Sequence, residues 1–307
     1  LSHAGNIPTI ISQDFLVHTD GQFRPFPYLI VAVLRTIVPN DFYSVWHFLL
    51  FIIHAANALL IFFIARHFSR RLDVSWIAAA VFAFHPLGTL LVHDINQIHL
   101  LVGLTLSLSF LFMFFLFSER GGAKRYLGVV VLFILALLSA KPPVFWGFFL
   151  LVYERFYRGR SWKNSFRNTA PFFLVPLLFL PLWIEVQPNP IFYKYLAVTP
   201  SSILFSFYSA IAASGRYFAA LFTSWGIPSI LHEATPQVYS PVNAAFLVWL
   251  GVDLAVLVTA LILAVRKSWG ALGVCLAAVA MLPYTSIAFN PVIHYVSYFY
   301  LYFPLAG

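Results

Sequence analysis

Charged residues are scarce in this chain: only 9% of its 307 residues are Asp, Glu, Lys or Arg, while 61% are hydrophobic. Soluble domains carry about 25% charged residues, and a soluble core could not bury this much apolar surface. The single cysteine, Cys275, excludes an internal disulfide. These shortages indicate a protein whose apolar surface faces lipid.

Long runs without charge indicate membrane-spanning helices. Crossing a hydrocarbon core takes roughly 20 helical residues; residues 97–118 reach that length, and so do residues 242–265, which contain one acid, Asp253. A charge inside a span is costly, so we expect Asp253 to be protonated or paired with another helix. Because the runs do not alternate, we predict an all-α polytopic membrane protein with about nine spans. The candidate spans are residues 43–65, 74–91, 98–118, 126–140, 143–157, 170–186, 243–265, 270–289 and 294–307.

The net charge of +8 is distributed in a way that argues against nucleic acid as a partner. Thirteen of the 18 Lys and Arg residues fall in four clusters between apolar runs, the pattern of cytoplasmic loops. The remaining loops then lie outside, where residues 1–42 include an interfacial helix and residues 187–242 an interfacial or re-entrant one. The four clusters are Arg66/Arg70/Arg71, Arg120/Lys124/Arg125, Arg155/Arg158/Arg160/Lys163/Arg167 and Arg266/Lys267.

We interpret residues 1–307 as a single transmembrane domain. The chain starts at Leu1, without Met or a signal sequence, and stops within an apolar run at Gly307. We therefore expect a longer protein, with a first span before Leu1 and a further part after Gly307. The bacterial inner membrane is favoured over the endoplasmic reticulum as its location.

Three histidines and one aspartate lie within fifteen residues of a predicted outer segment: His85, His93, Asp94 and His99. His85 precedes Pro86, which ends a helix and directs the imidazole toward the loop. Such side chains can bind a divalent metal, but their spacing matches no standard motif, and ordinary loop polarity is the alternative.

Other polar residues of the predicted outer half have two readings each. Lys141 lies on the side where cations are rare and could bind a lipid phosphate or snorkel to water. Arg216 could hold a phosphate or anchor an interfacial helix. His47 and His54 share one helix face because they are seven residues apart. His54 and Asn57 are typical of hydrogen bonding between helices, whereas His47 is equally suited to a site.

Short polar and aromatic motifs recur along the chain, and they are Phe23-Arg24-Pro25-Phe26, His47, His54 to Leu60, Phe84 to Thr89, Leu138-Ser139-Ala140-Lys141, Gly215-Arg216-Tyr217-Phe218 and Tyr300 to Gly307. Taken in order, these motifs resemble those of the GT-C superfamily of membrane glycosyltransferases. The pattern is most similar to the protein O-mannosyltransferases that carry tetratricopeptide repeats, and to their bacterial relatives. The resemblance implies a GT-C-like helical bundle that transfers a sugar from a polyprenyl-phosphate carrier to an acceptor on the extracytoplasmic face.

The resemblance also implies a division of roles. A carboxylate must activate the acceptor hydroxyl as general base, and the candidates are an acid before Leu1, Asp94 and Asp20. Cations must hold the phosphate leaving group. We expect the phosphate-binding candidates to converge with Asp94 and His85 at the outer boundary; they are Arg24, Lys141, Arg216 and Tyr302.

Several positions that are charged in the family are uncharged here, among them Leu90, Ile98, Leu100 and Pro142. In a divergent enzyme, Asp94, His93 and His99 would replace them. The alternative is a catalytically silent GT-C-derived subunit, packed with other membrane proteins in a larger complex. No cofactor is certain under either reading, and a transporter is disfavoured because the spans contain few charged groups.

Overall fold

A computed structural model describes this chain as predominantly helical, in two compact units, Leu1–Pro188 and Asn189–Gly307. The description covers residues 25–38, 43–185, 208, 211–212, 214–215, 217–219, 221, 232–234, 244–266, 268–285, 295–297 and 302–306.

The first unit consists of helices that run back and forth. A 3₁₀ turn, Ile95–Gln97, precedes α5, and a second one, Pro142–Phe145, precedes α7, which continues into a π-helical turn, Tyr153–Tyr157. The helices are α1 (Pro25–Arg35), α2 (Tyr43–Ser69), α3 (Leu72–Phe84), α4 (Pro86–His93), α5 (Ile98–Arg120), α6 (Ala123–Leu137), α7 (Trp146–Val152), α8 (Trp162–Thr169) and α9 (Pro171–Glu185).

Local chemistry explains where these helices end. Gly121 and Gly122 have φ of 65° and 103°, a left-handed region open to glycine, so they reverse the chain between α5 and α6. His85 adopts an extended conformation, φ −65° and ψ 133°, as expected of a residue before proline. The Ser161 hydroxyl accepts a hydrogen bond from the Asn164 amide and so caps α8.

An aromatic cluster forms the core of the first unit. Phe110 and Phe114 of α5, Phe133 of α6 and Phe172 of α9 are all fully buried. The ring of Phe172 meets the other three edge to face, at centroid distances of 5.2, 5.7 and 5.0 Å respectively. Edge-to-face pairs are favourable beyond the area they bury. Phe172 therefore joins α9 to the hairpin of α5 and α6.

The second unit contains two long helices, α10 (Ala244–Val265) and α11 (Trp269–Thr285), and two short strands. The strands β1 (His232–Ala234) and β2 (Tyr295–Ser297) pair antiparallel, with Glu233 opposite Val296. A 3₁₀ turn, Pro304–Ala306, packs against α11.

Three helices among the described residues are long and apolar enough to cross a membrane: Tyr43–Ser69, Ile98–Arg120 and Phe246–Leu263. The helical class is confirmed, and three of the predicted spans coincide with helices of sufficient length and apolarity, whereas the total of about nine spans stays a prediction. A helix is present in the predicted stretch 25–38 as α1, which has 11 residues, and its interfacial location stays a prediction.

Two predicted spans need correction. Residues 74–91 do not form one helix, because Pro86 divides them into α3, with 13 residues, and α4, with 8. The predicted span at residues 294–307 is wrong where the structure describes it, since Tyr295–Ser297 is a strand and Pro304–Ala306 a 3₁₀ turn. In the described part of that segment, Tyr295 pairs with Ala234 in the strand and Tyr302 is buried.

Candidate functional site

Helices α2 and α5 run in the same direction. Asn57, midway along α2, donates a side-chain hydrogen bond to the Leu101 carbonyl near the start of α5 (3.1 Å), and near the ends of both helices His67 lies 3.3 Å from Glu119. Short hairpins follow both helices, so the chain returns each time to the same two ends of the unit. We define the polar end by His47, His93, Asp94 and Leu138–Phe145, and the basic end by Arg66, Arg71, Arg120, Lys124 and Arg160.

His54 of α2 contacts both helices at the break between α3 and α4. The His54 imidazole Nε2 lies 3.1 Å from the Ala83 carbonyl, close to where α3 ends, and the ring is almost fully buried. Gly88 of α4 lies so close that a Cβ there would be 2.7 Å from His54 Cε1. A glycine at this position therefore allows α4 to pack directly on His54.

His47 secures the end of α4. Its Nδ1 lies 3.2 Å from the Val92 carbonyl, and its ring centroid is 6.4 Å from that of His93. His93 itself is exposed. The first turns of α2 and the last turn of α4 thus place two imidazoles side by side at the polar end, next to the turn that carries Asp94.

Asp94 lies between α4 and the 3₁₀ turn that leads into α5, and its side chain is half-buried. The Gln97 amide donates a hydrogen bond to Asp94 Oδ2 (3.0 Å), and the Gln97 backbone amide donates to the Asp94 carbonyl (3.0 Å). These contacts fix the orientation of the carboxylate.

Lys141 lies in the turn that links α6 to α7. The backbone amide of Phe26, in α1, donates to the Leu138 carbonyl (3.1 Å), so α1 is attached to this turn. The Lys141 carbonyl accepts from the Val144 amide (3.1 Å), and the Lys141 side chain is half-buried. The Phe-Arg-Pro and Leu-Ser-Ala-Lys motifs therefore meet through α1.

The other predicted phosphate-binding residues cannot be placed at the polar end. Arg24 and Arg216, together with the candidate base Asp20, lie outside the described residues. Tyr302 is buried in the second unit, next to the turn that packs on α11. The convergence expected of these residues stays a prediction.

The three candidate metal ligands have different environments: His85 is half-buried, His93 is exposed and His99 is buried. Within the described part of the chain, no three His, Cys, Asp or Glu side chains gather closely enough to hold a metal ion.

A buried carboxylate at the basic end was not anticipated from the sequence. Glu154, in the π-helical turn, is fully buried and accepts hydrogen bonds from Ser118 Oγ, from Arg160 Nη1 (2.7 Å) and from Asn168 Nδ2 (2.8 Å). A lone acid between an apolar run and a basic cluster is the signal that could have indicated it. The network joins α5, the π-helical turn and α8.

In the second unit, the pairing expected of Asp253 is confirmed. Its Oδ2 accepts a hydrogen bond from the Ser214 hydroxyl (2.6 Å), which lies on another helical segment. A Cβ at the neighbouring Gly215 would lie 2.3 Å from the Trp249 carbonyl, so a glycine permits this close approach.

Comparison with protein-family models, with characterised proteins and with solved structures gives no match to this chain.

Proposed function

We propose that this chain is a multi-pass membrane glycosyltransferase of the GT-C type, which transfers a sugar from a polyprenyl-phosphate carrier to an acceptor at the polar end. The observation that carries the proposal is that motifs of the resemblance meet in pairs. His54 of the second motif contacts the end of α3, where the Phe-His-Pro motif begins. Phe26 of the first motif binds Leu138 of the Leu-Ser-Ala-Lys turn.

The proposed chemistry uses two residues of the polar end. The Asp94 carboxylate, oriented by Gln97, takes the proton from the acceptor hydroxyl as its oxygen attacks the anomeric carbon. The carbon–oxygen bond to the carrier phosphate breaks, and the phosphate leaves with the electron pair. The Lys141 ammonium stabilises the charge on this leaving group.

The proposal requires the polar end to face away from the cytoplasm. The basic clusters at the opposite end support this orientation, because cytoplasmic loops carry an excess of Lys and Arg. In a Cys275→Ser background, His93→Cys should react with a membrane-impermeant thiol reagent added outside intact cells, and Lys124→Cys should react only after permeabilisation. The reverse labelling pattern would reject the orientation and the site together.

Activity can be tested with purified protein in liposomes and a polyprenyl-phosphate sugar. Losing a charge-assisted phosphate contact costs about 1.5–3 kcal/mol, so Lys141→Ala should lower kcat/KM by roughly ten- to a hundredfold. Asp94→Asn should lower kcat more than it raises KM, because the base acts in the transition state. Asp73→Asn removes an exposed acid at the basic end and serves as the matched control.

The silent-subunit alternative gives a different outcome in the same assay. It expects no turnover of any lipid-linked sugar by the wild-type protein and a fixed set of membrane partners on purification from the native membrane. Turnover by the isolated protein that survives Asp73→Asn but not Asp94→Asn supports the enzyme and rejects the silent subunit.

A further inference from the structure

Helix α8, at the basic end, carries three different stripes of side chains. Ser165 and Thr169 are buried and face the rest of the unit. Trp162 and Phe166 form the second stripe, both 50% exposed, with ring centroids 6.0 Å apart. The third stripe consists of Lys163 and Arg167, which are exposed and also four residues apart. Apolar rings thus lie between the protein and the cations.

A further cation extends this surface from the π-helical turn. The Arg155 guanidinium carbon lies 5.3 Å from the centroid of the Trp162 ring and 5.8 Å from that of Phe156, which is 62% exposed. The Arg155 Nε has no hydrogen-bond partner. Arg155 is therefore positioned by two aromatic rings, and no carboxylate within the described residues neutralises it.

The nearby acid does not neutralise the surface either. Glu154 is fully buried and paired with Arg160, while Asn168 of α8 donates to the same carboxylate oxygen (2.8 Å). This network fixes the orientation of α8 from its protein-facing side. The outward side keeps the unbalanced charges of Arg155, Lys163 and Arg167.

We propose that Arg155, Phe156, Trp162, Lys163, Phe166 and Arg167 form a binding surface for the headgroups of anionic phospholipids, which we call the lipid platform. Exposed aromatic rings suit the boundary between headgroups and acyl chains, and cations beside them suit lipid phosphates. In a loop that faces water, three aromatic rings exposed to this extent would be unfavourable, because apolar surface is more stable away from water. Because α8 follows an apolar helix of the first unit, the platform lies at the level of a membrane surface if that unit spans the bilayer.

The charge contribution can be measured by titrating the detergent-purified full chain with phosphatidylglycerol and with phosphatidylcholine, using native mass spectrometry. Wild-type protein should bind phosphatidylglycerol preferentially, and the Lys163→Gln/Arg167→Gln variant should lose about fivefold in affinity per charge removed. The matched control is Lys124→Gln/Arg125→Gln, which removes two exposed cations from another turn of the same end and should change affinity less than twofold. Equal losses in the two double variants would overturn the platform.

The contribution of the aromatic rings is tested in a second measurement. It uses a difference in fluorescence, because the chain has eight Trp residues and only the signal of Trp162 is wanted. In vesicles with brominated acyl chains, the fluorescence difference between wild-type protein and Trp162→Phe should be quenched most by bromines placed near the headgroups. An unquenched difference signal would show that Trp162 faces water and would reject the proposal. Binding of an oligonucleotide or of inorganic phosphate at the same cations, in place of phosphatidylglycerol, would also overturn it.

Discussion

The two ends of the first unit hold their polar side chains in different ways. At the polar end and along the adjoining half of α2, His47, His54 and Asn57 bind backbone carbonyls of neighbouring helices. Asp94 and Gln97 also form a hydrogen bond between side chains there. At the basic end, charged side chains bind one another, as Glu154 does with Arg160 and Arg71 with Asp73. A backbone carbonyl is present whatever residue occupies its position, whereas an ion pair depends on both partners.

This difference has a consequence for how each end can change. The contacts of His47, His54 and Asn57 survive replacement of the residues whose carbonyls they bind, because each depends on only one side chain. The buried network of Glu154 is weakened when a single partner is removed, since the other polar groups lose their compensation, whereas the exposed pairs of the same end are screened by solvent. We infer that sequence changes are tolerated least at Glu154 and its partners.

The largest effect expected of this comparison comes from Glu154→Ala. Breaking a buried ion pair leaves a charge without compensation and costs about 3–5 kcal/mol, and here Ser118 and Asn168 lose their acceptor as well. Equilibrium unfolding in mixed detergent micelles measures the loss.

Two further variants test the interpretation of Glu154. Glu119→Ala breaks the contact with His67, in which the Glu119 side chain is 32% exposed, and should cost less than about 1 kcal/mol. Glu154→Ala/Arg160→Ala should be less destabilising than Glu154→Ala alone, because the half-buried Arg160 guanidinium is no longer left without its ionic partner. If all three variants lower the unfolding free energy by the same amount, burial does not determine how much these ion pairs contribute to stability.

An intermediate effect is expected at the polar end from Gly88→Ala. The new Cβ would lie 2.7 Å from His54 Cε1, so the imidazole must move away from the Ala83 carbonyl that it now contacts. Gly128→Ala is the matched control, since no atom lies within 4 Å of a Cβ there. Both variants gain the same helix propensity, so the difference between their unfolding free energies, about 1–3 kcal/mol, reports the clash. Equal stabilities would show that His54 moves without cost.

Much of the helical layout was predictable from the apolar runs and from the residues that end them. The predicted starts at residues 43, 98, 170 and 243 agree with α2, α5, α9 and α10 to within one residue. A run of this length has few alternatives to a helix, and a basic cluster or a glycine pair ends it.

The contacts between these helices were less predictable. His54 was expected to bond to another helix, but only the folded chain identifies Ala83 as the acceptor and shows the proximity of Gly88. The Glu154 network could not be predicted from the sequence, because its members lie up to 50 residues apart and its single acid stands beside a basic cluster. The strand Tyr295–Ser297 was missed because apolar aromatic residues suit a strand as well as a span.

The smallest effect is expected from the ion pair of Arg71 and Asp73, whose side chains are largely exposed at the basic end. The hydrogen bond from Arg71, whose Nε lies 3.1 Å from Asp73 Oδ1, lowers the pKa of the Asp73 carboxyl. A lowered pKa in the folded state means that the pair stabilises the fold above the ordinary carboxyl range. That contribution disappears as the pH falls through the lowered pKa. Solvent screens the pair, so Asp73→Asn should leave the unfolding free energy at neutral pH unchanged within error. Carbon-13 NMR of the labelled carboxyl should show the pKa of Asp73 rising toward its ordinary value in Arg71→Gln. A loss of stability in Asp73→Asn as large as that in Glu154→Ala would mean that exposure does not separate the two pairs.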